Sequence, residues 1–373
     1  MTKHIVVKHH MINTMVMGPG GSEYVTIETA IAFAKKGFEA YIDSWTLRKP
    51  EDLLRITGFF GIWVDELENY DIGLGEPPGK PVLTVNTSGD AISGIGDVIY
   101  FHYPSLMPHD TYYPGVKGIG RIVGKAYSLI NAVAFPFVFR RAKAFVANSS
   151  FTARFLRRYY GIKPLIIHPP ANLKPLLIQE PLGFYERKPY VLTVSRISPE
   201  KKPERAVELA SLLKKKKIGV KVVLAGSLSE YNNDLYRNLK NTISSEGLEE
   251  SLEIFPNAPR SELLKLYRES LLYIHLTPRE HFGISIVEAM AAGTPVITPI
   301  DSGGWSDIGN YNPDIVKPYE TLEEAVEIIS RLAGNKEEWE KLSRNARTRS
   351  FFFDRETFHF KVYQALRKYI YYG

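Results

Sequence analysis

The chain has 373 residues, a length that suggests two or three domains. Its hydrophobic content of 44% and charged content of 24% are ordinary for a globular protein, and the absence of cysteine excludes disulfides, a thiolate nucleophile and a cysteine zinc site. The net charge of +6, from 47 Lys and Arg against 41 Asp and Glu, is modest and leaves nucleic acid, anionic lipid and phosphate substrates open as partners.

In chain order, IVVKHH (5–10) predicts a first strand, and the charged N-terminus is unlike a signal peptide. No stretch stands out as a membrane span, so the expected location is the cytosol. A helix is predicted from about Tyr24 to Lys36, with Ile27, Ala30, Ile31 and Ala34 at helical spacing. FEAYIDS predicts the second strand. Gly18, Gly20 and Gly21 thus fall between the first strand and its helix, where a doubly wound sheet presents its ligand crevice. Their spacing is not G-x-G-x-x-G, so a dinucleotide site is not supported. GLGEPPGK (73–80) is no Walker loop: its glycine spacing is wrong and Pro81 stands where Ser or Thr should. DVIYFHYPS (97–105) predicts a strand ending near His102, at the edge where ligands meet such sheets.

Residues 112–143 are aromatic, aliphatic and basic. Residues 122–139 hold one charge, Lys125, and are interrupted by Pro136. The favoured reading is a buried helix of the first domain. The alternative is a surface element that docks on a bilayer, with Lys117, Arg121, Arg140, Arg141 and Lys143 meeting anionic headgroups. AFVANSSFTARFLRRYYG then predicts strand, capping serines and helix. IIHPPANL closes a first domain at 173, and turn signals at Pro175, Pro181 and Gly183 predict a linker over 174–188.

A second series follows. YVLTVS, KVVLAG, LEIF, LLYIHL and TPVIT predict strands, with helices between them from about Pro203, Asn233, Arg260 and Gly283. This alternation implies a parallel sheet covered on both faces. In the first loop, SRISPEKKP, Arg196 and Lys201 flank a turn, and two cations there can clamp a diphosphate and stabilise it as a leaving group. The chain's richest stretch is REHFGISIVEAMAAGTPVITPIDSGG (279–304). Between Glu280 and Asp301 its only charged residue besides His281 is Glu288, costly in so apolar a helix unless something polar meets it. The helix start exposes the amides of Gly283, Ile284 and Ser285, a seat for a phosphate. Two acids beside an anion seat suit a ligand with hydroxyls and phosphates, such as a nucleotide sugar. A last helix is predicted over 355–373, with Phe358, Val362, Tyr363, Leu366 and Ile370 as its apolar stripe.

The stretch E-x7-E, small-residue helix, Gly-rich loop resembles the donor-site signature of family 4 glycosyltransferases. Its wording, EHFGI...VE.MAAGT...SGG, is most similar to the α-1,2-mannosyltransferases that extend lipid-linked oligosaccharides. The resemblance implies an α/β fold of the GT-B class: two Rossmann-like doubly wound parallel-sheet domains facing a cleft. It implies an acceptor domain at 1–173, joined by the last helix, and a nucleotide-sugar domain at 189–354. By the same resemblance Glu280 lies near the sugar, Glu288 holds the ribose, and Gly20, Gly21 and the backbone from Phe282 to Ser285 approach the diphosphate with Arg196 and Lys201. His102, in an HYP like the family's, contacts the transferred sugar. The implied reaction moves a sugar, mannose from GDP-mannose, to a hydroxyl of a glycan or lipid-linked acceptor with retained configuration. No D-x-D occurs, so no metal or other cofactor is expected. Three rivals stand beside it. A glycan phosphorylase would need a pyridoxal-phosphate lysine motif, which is not found. A GT-B nucleotide-sugar epimerase shares the second domain's logic. A nucleic-acid scaffold rests on the +6 charge alone, without an aromatic-basic motif, so nucleic acid is not an expected partner.

Overall fold

A computed structural model describes residues 3–9, 20–44, 49, 51–53, 58, 69–92, 94–103 and 118–371. Among these, one unit holds the residues up to Asn172 together with 353–371, and a second holds Leu173–Phe352.

The first unit is built on a seven-stranded parallel sheet of order β3-β2-β1-β4-β5-β6-β7. The strands are β1 (His4–His9), β2 (Glu39–Ser44), β3 (Gly73–Leu74), β4 (Leu83–Asn86), β5 (Val98–Phe101), β6 (Ala144–Ala147) and β7 (Leu165–Ile166). Strand β5 shows why both faces are covered. Side chains alternate along a strand, and here both sets are apolar. Val98 and Tyr100 join the core with Val25 and Phe33, whereas Ile99 and Phe101 join a second core with Phe139 and Leu156.

Helix α1 (Gly21–Ala34) starts three residues before the expected position, because the Glu23 carboxylate accepts the Gly20 amide at 3.0 Å and opens the first turn there. Helix α2 (Gly118–Phe139) runs unbroken through Pro136. Ser149 caps helix α3 (Ser150–Tyr160) by accepting the Thr152 amide.

The favoured expectation for α2 fails. One face, with Asn131, Phe135 and Phe139, packs on the sheet. The opposite stripe of Ile122, Leu129, Val133 and Phe137 points away from it, with Ile122 69% and Phe137 74% exposed. Hydropathy registers a helix as apolar all round; a sheet covers only one side of it. By length and composition α2 could cross a membrane, a possibility the sequence reading had set aside.

The second unit has a six-stranded parallel sheet of order β10-β9-β8-β11-β12-β13. Its strands are β8 (Lys188–Val194), β9 (Lys221–Gly226), β10 (Leu252–Pro256), β11 (Ser270–Ile274), β12 (Val296–Pro299) and β13 (Val316–Tyr319). The helices are α4 (Glu204–Lys215), α5 (Asn233–Ser245), α6 (Arg260–Glu269), α7 (Ile284–Ala291), α8 (Leu322–Gly334) and α9 (Lys336–Ser350). Both sheets thus share the doubly wound order in which the first strand sits inside and the chain then reverses direction across the sheet.

The stretch expected to be a linker, 174–188, belongs to this unit. Arg347 binds it by donating to the carbonyls of Leu177 and Gln179 at 3.1 and 3.2 Å. The edge strand β13 was not foreseen. The last helix, α10 (Arg355–Leu366), returns to the first unit, where Phe358, Val362 and Leu366 are buried in the core beside α1.

Candidate active site

In the second sheet the order reverses between β8 and β11, which pair side by side. Ligands of doubly wound sheets bind beyond the carboxyl ends of such a strand pair. The loop after β8 carries Arg196 and then the helical turn Pro199–Lys201. The loop after β11 runs from His275 to Gly283 and opens into α7.

Glu280 is where these loops meet. Lys201 Nζ lies 2.7 Å from Glu280 Oε2, and His275 Nε2 lies 3.2 Å from the same oxygen. Oε1 accepts the His281 amide at 3.1 Å. Burial alone would raise this carboxyl, but the Lys201 charge and the His275 hydrogen bond outweigh it and hold Glu280 well below the ordinary range. It is therefore ionised at neutral pH. The Gly303 amide donates to the Glu280 carbonyl at 2.7 Å, and a Cβ on Gly303 would lie 2.0 Å from the His281 carbonyl oxygen. The DSGG loop reaches the acid's backbone only because that side chain is missing.

Gly283 turns the chain into α7 at φ 98°, a left-handed conformation that a side chain would strain. The Phe282 ring is buried, so that residue can offer a ligand only its backbone. Ile284 and Ser285 are half-buried at the helix start. The Ser285 hydroxyl accepts from Tyr273 Oη at 2.8 Å, and Tyr273 Oη is also 3.3 Å from His275 Nδ1. Three residues beyond Ser285, Glu288 meets Arg260 at 2.6 Å and accepts from Tyr267 Oη at 3.0 Å, which answers the cost of its apolar helix. Arg196 pairs with Glu200 at 3.3 Å, and Ser198 donates to the same Glu200 oxygen at 2.6 Å.

The remaining expected site residues lie on the first unit. Gly20 and Gly21 open α1, but the Gly20 amide is already donated to Glu23, so a phosphate there would have to displace a carboxylate. Gly18 and Lys117 lie outside the described residues. His102 follows β5 directly. Its Nε2 is shut off from solvent and has no hydrogen-bond partner among the described residues. Burial, helped by the neighbouring His9, pushes the ring down to about 3, against the opposing pull of Glu23 and of a hydrogen bond to the Thr87 backbone. The neutral ring is thus the native form. Between about pH 6.5 and 3 the unfolded chain binds a proton that the native chain refuses, so stability is present above that window and falls as pH falls through it. Urea midpoints of the wild type are expected to drop faster from pH 7 to 4 than those of His102→Gln. Parallel slopes would remove His102 as the cause.

Residues 177–349 match the family model described as glycosyl transferases group 1. The match falls within the second unit. The chain is 27% identical over 276 residues to a Caenorhabditis elegans protein named GDP-Man:Man(3)GlcNAc(2)-PP-Dol alpha-1,2-mannosyltransferase, covering 65% of this chain and 57% of that one. The human protein of the same name is 31% identical over 185 residues, 47% of this chain and 36% of that one. The chain thus spans about half the length of the curated relatives it matches. Among solved structures, sucrose-phosphate synthase from Thermosynechococcus elongatus superposes with a TM-score of 0.71 at 17% identity, over all of both chains. Anabaena HepE in complex with UDP and glucose gives 0.70 at 19%, covering 98% of this chain and 100% of that one. These likenesses establish the GT-B fold.

Within the matched residues, the structure gathers Glu280, Lys201, Ser285 and the start of α7 beyond the carboxyl ends of β8 and β11. Sequence reasoning named these but missed their partners. His275, Tyr273, Tyr267 and Arg260 went unremarked, although a histidine inside the apolar run LLYIHL was a usable signal.

Proposed function

We propose that this chain is a retaining glycosyltransferase that moves mannose from GDP-mannose to a hydroxyl of a lipid-linked glycan, and that it needs no metal to do so. The observation that carries the reading is Glu280, kept ionised by Lys201 and His275 beside the amides that open α7. An ammonium has three N–H donors, so Lys201 can hold Glu280 with one and offer others to a diphosphate oxygen. Together with Arg196 and the helix start it meets the charge that builds on the leaving diphosphate. The Glu280 carboxylate accepts from sugar hydroxyls and stabilises the positive charge of an oxocarbenium-like state. Glu288 binds the ribose, with Arg260 and Tyr267 fixing its rotamer. His102 is assigned to the transferred sugar on the family resemblance of its HYP alone. The mannose and GDP parts rest on the names of the curated relatives.

A thermal-shift and hydrolysis screen of nucleotide sugars tests this. GDP-mannose is expected to stabilise most, by about 2.7 kcal/mol at a hundredfold excess over its dissociation constant, with turnover unchanged by EDTA. Stabilisation by UDP-glucose alone would reassign the donor. An isomerised sugar formed without acceptor would mark an epimerase.

A lipid-linked acceptor places the enzyme at a membrane surface, and we assign that contact to α2, with the enzyme peripheral on the cytoplasmic side. Its outward stripe is apolar, and from Thr111 to Gln179 the sequence holds Lys and Arg but no Asp or Glu. The sheet-facing side of α2 favours lying in the interface over crossing it. Each cation near an anionic surface contributes about 1 kcal/mol, within a Debye length. Binding to anionic vesicles is expected at low salt and should weaken as salt rises. Arg140→Glu with Arg141→Glu should reduce it. Lys143 is left alone in this test, because it pairs with Asp97 at 3.3 Å. Folded protein that fails to co-sediment at low salt would favour a soluble acceptor.

A further inference from the structure

We propose that Trp305, with Asn310 and Tyr311, forms a stacking site for a neutral sugar ring of the glycan acceptor, a proposal that rests on the glycosyltransferase reading above. The three stand in the loop after β12, and that loop is tied to the acid. The Gly303 amide donates to the Glu280 carbonyl at 2.7 Å, and Arg279 Nε lies 3.8 Å from Asp301, so the loops after β11 and β12 are joined twice. Trp305 follows Gly303 by two residues, at most about 7 Å of chain.

The local backbone holds this aromatic pair in place. Gly304–Ile308 form a single π-helical turn, a rare form that gathers at functional sites. Every residue of the turn is buried except Trp305, which is half-buried. Arg349 of α9 fixes the turn by donating to the carbonyls of Asp307 and Ile308 at 2.9 and 3.0 Å. The chain leaves it through two consecutive left-handed residues, Asn310 at φ 52° and Tyr311 at φ 56°. Asparagine tolerates that conformation, but a tyrosine there is strained. Tyr311 is nonetheless 58% exposed, and its ring meets that of Trp305 edge-on with the centroids 6.0 Å apart. A strained, exposed aromatic adds little to a core, and such strain clusters at ligand clamps.

Chemistry selects the ligand. The Trp305 indole N–H, the Asn310 amide and the Tyr311 hydroxyl have no hydrogen-bond partner among the described residues. Rings beside unpaired donors and acceptors suit a ligand with a C–H face and hydroxyl edges, which describes a pyranose. From Ser302 to Asn312 the only charged residue is Asp307, which is buried, so this stretch offers no cation to a phosphate. The nucleobase belongs elsewhere. Glu288, assigned to the ribose, faces Arg260 and Tyr267 of α6, whereas Gly304 packs on Ile286, whose Cδ1 would lie 2.7 Å from a Cβ there. Two residues are roughly 200° of helix, so α6 and the π-helical turn flank α7 on opposite sides. The base end of the donor lies on one flank and the aromatic pair on the other. The transferred sugar is assigned to Glu280 itself, so the ring that Trp305 meets is the next one, on the acceptor.

The test labels the full chain with ¹⁵N-tryptophan and titrates it with α-mannobiose and, separately, with GDP. The chain has four tryptophans, and Trp305 is assigned from the signal lost in Trp305→Phe. Mannobiose is expected to move the Trp305 indole signal saturably, and GDP should leave it in place. Trp339, buried and donating to the Leu271 carbonyl at 2.7 Å, should move with neither. With GDP-mannose as donor and mannobiose as acceptor, Trp305→Ala should raise the acceptor KM about tenfold, while donor hydrolysis without acceptor is unchanged. Trp305→Phe keeps a ring and should recover part of the loss. Tyr311→Asn should also raise the acceptor KM yet melt no lower than the wild type, because asparagine accepts the left-handed backbone. A merely structural pair would lose stability instead. Mannobiose that leaves Trp305 unmoved, or an unchanged acceptor KM in Trp305→Ala, would overturn the site. Movement with GDP alone would reassign the pair to the nucleobase and overturn it too. A wild type that binds mannobiose at Trp305 but does not bind GDP would sink the donor reading and leave the sugar site standing.

Discussion

Glu280→Ala is expected to slow turnover by about 10²–10³-fold, the usual consequence of removing one preorganised transition-state contact. The effect on folding should be far smaller. Glu280 sits in a loop, and its backbone is held independently by Gly303. The substitution leaves the Lys201 ammonium without its carboxylate, but Lys201 is partly open to solvent and can rehydrate. Glu280→Gln keeps the shape without the charge, so it separates the two contributions. A charge-based role predicts that it recovers little activity. His102→Ala should lower turnover in the same way. Product formation measured beside the melting temperature is the check, and full activity in Glu280→Ala would end the assigned role.

Arg196→Ala and Lys201→Ala should each weaken nucleoside-diphosphate binding by roughly 1.5–3 kcal/mol, as expected for a shielded hydrogen bond to a charged group. The two changes differ in kind. Arg196 pairs with Glu200, away from the acid, so its loss should act through the diphosphate alone. Lys201 also holds Glu280, so its loss should lower turnover further. Arg196→Lys should not fully rescue, because the planar fork is gone. Calorimetry with GDP decides, and unchanged affinity in the double mutant would mean that the clamp is elsewhere.

Much of the fold could be read from alternation alone. Five of the six strands of the second unit were visible as short apolar runs between turn signals. β13 was not, because VKPY carries a lysine and a proline, which an edge strand tolerates and a central one does not. Helix α2 was legible as a helix but not as an exposed one, since burial depends on what the sheet has room for. At the site, Glu280 and Glu288 stood out as charges in apolar surroundings. Their partners did not, because Tyr267, Tyr273 and Arg260 are ordinary residues until the sheet order brings β11 and α6 beside α7. Spacing reveals what lies on one element; it says little about what a different element brings to it.

The return of α10 to the first unit bears on how the chain is made. The first unit's core is incomplete without Phe358, Val362 and Leu366. Its fully buried Glu28 is held by Arg355 and His359, residues near the very end of the sequence. A ribosome has therefore emitted most of the first unit long before that unit can close. At about 5–20 residues per second the intervening second unit takes roughly 10–40 s to appear. That unit is continuous in sequence and can finish first, reversing the usual N-to-C order. Throughout the interval the apolar face of α1 that awaits α10 is open, and a carboxylate destined for burial still faces water. A nascent chain stalled before residue 353 should accordingly be a preferred client for chaperones that bind exposed apolar surface.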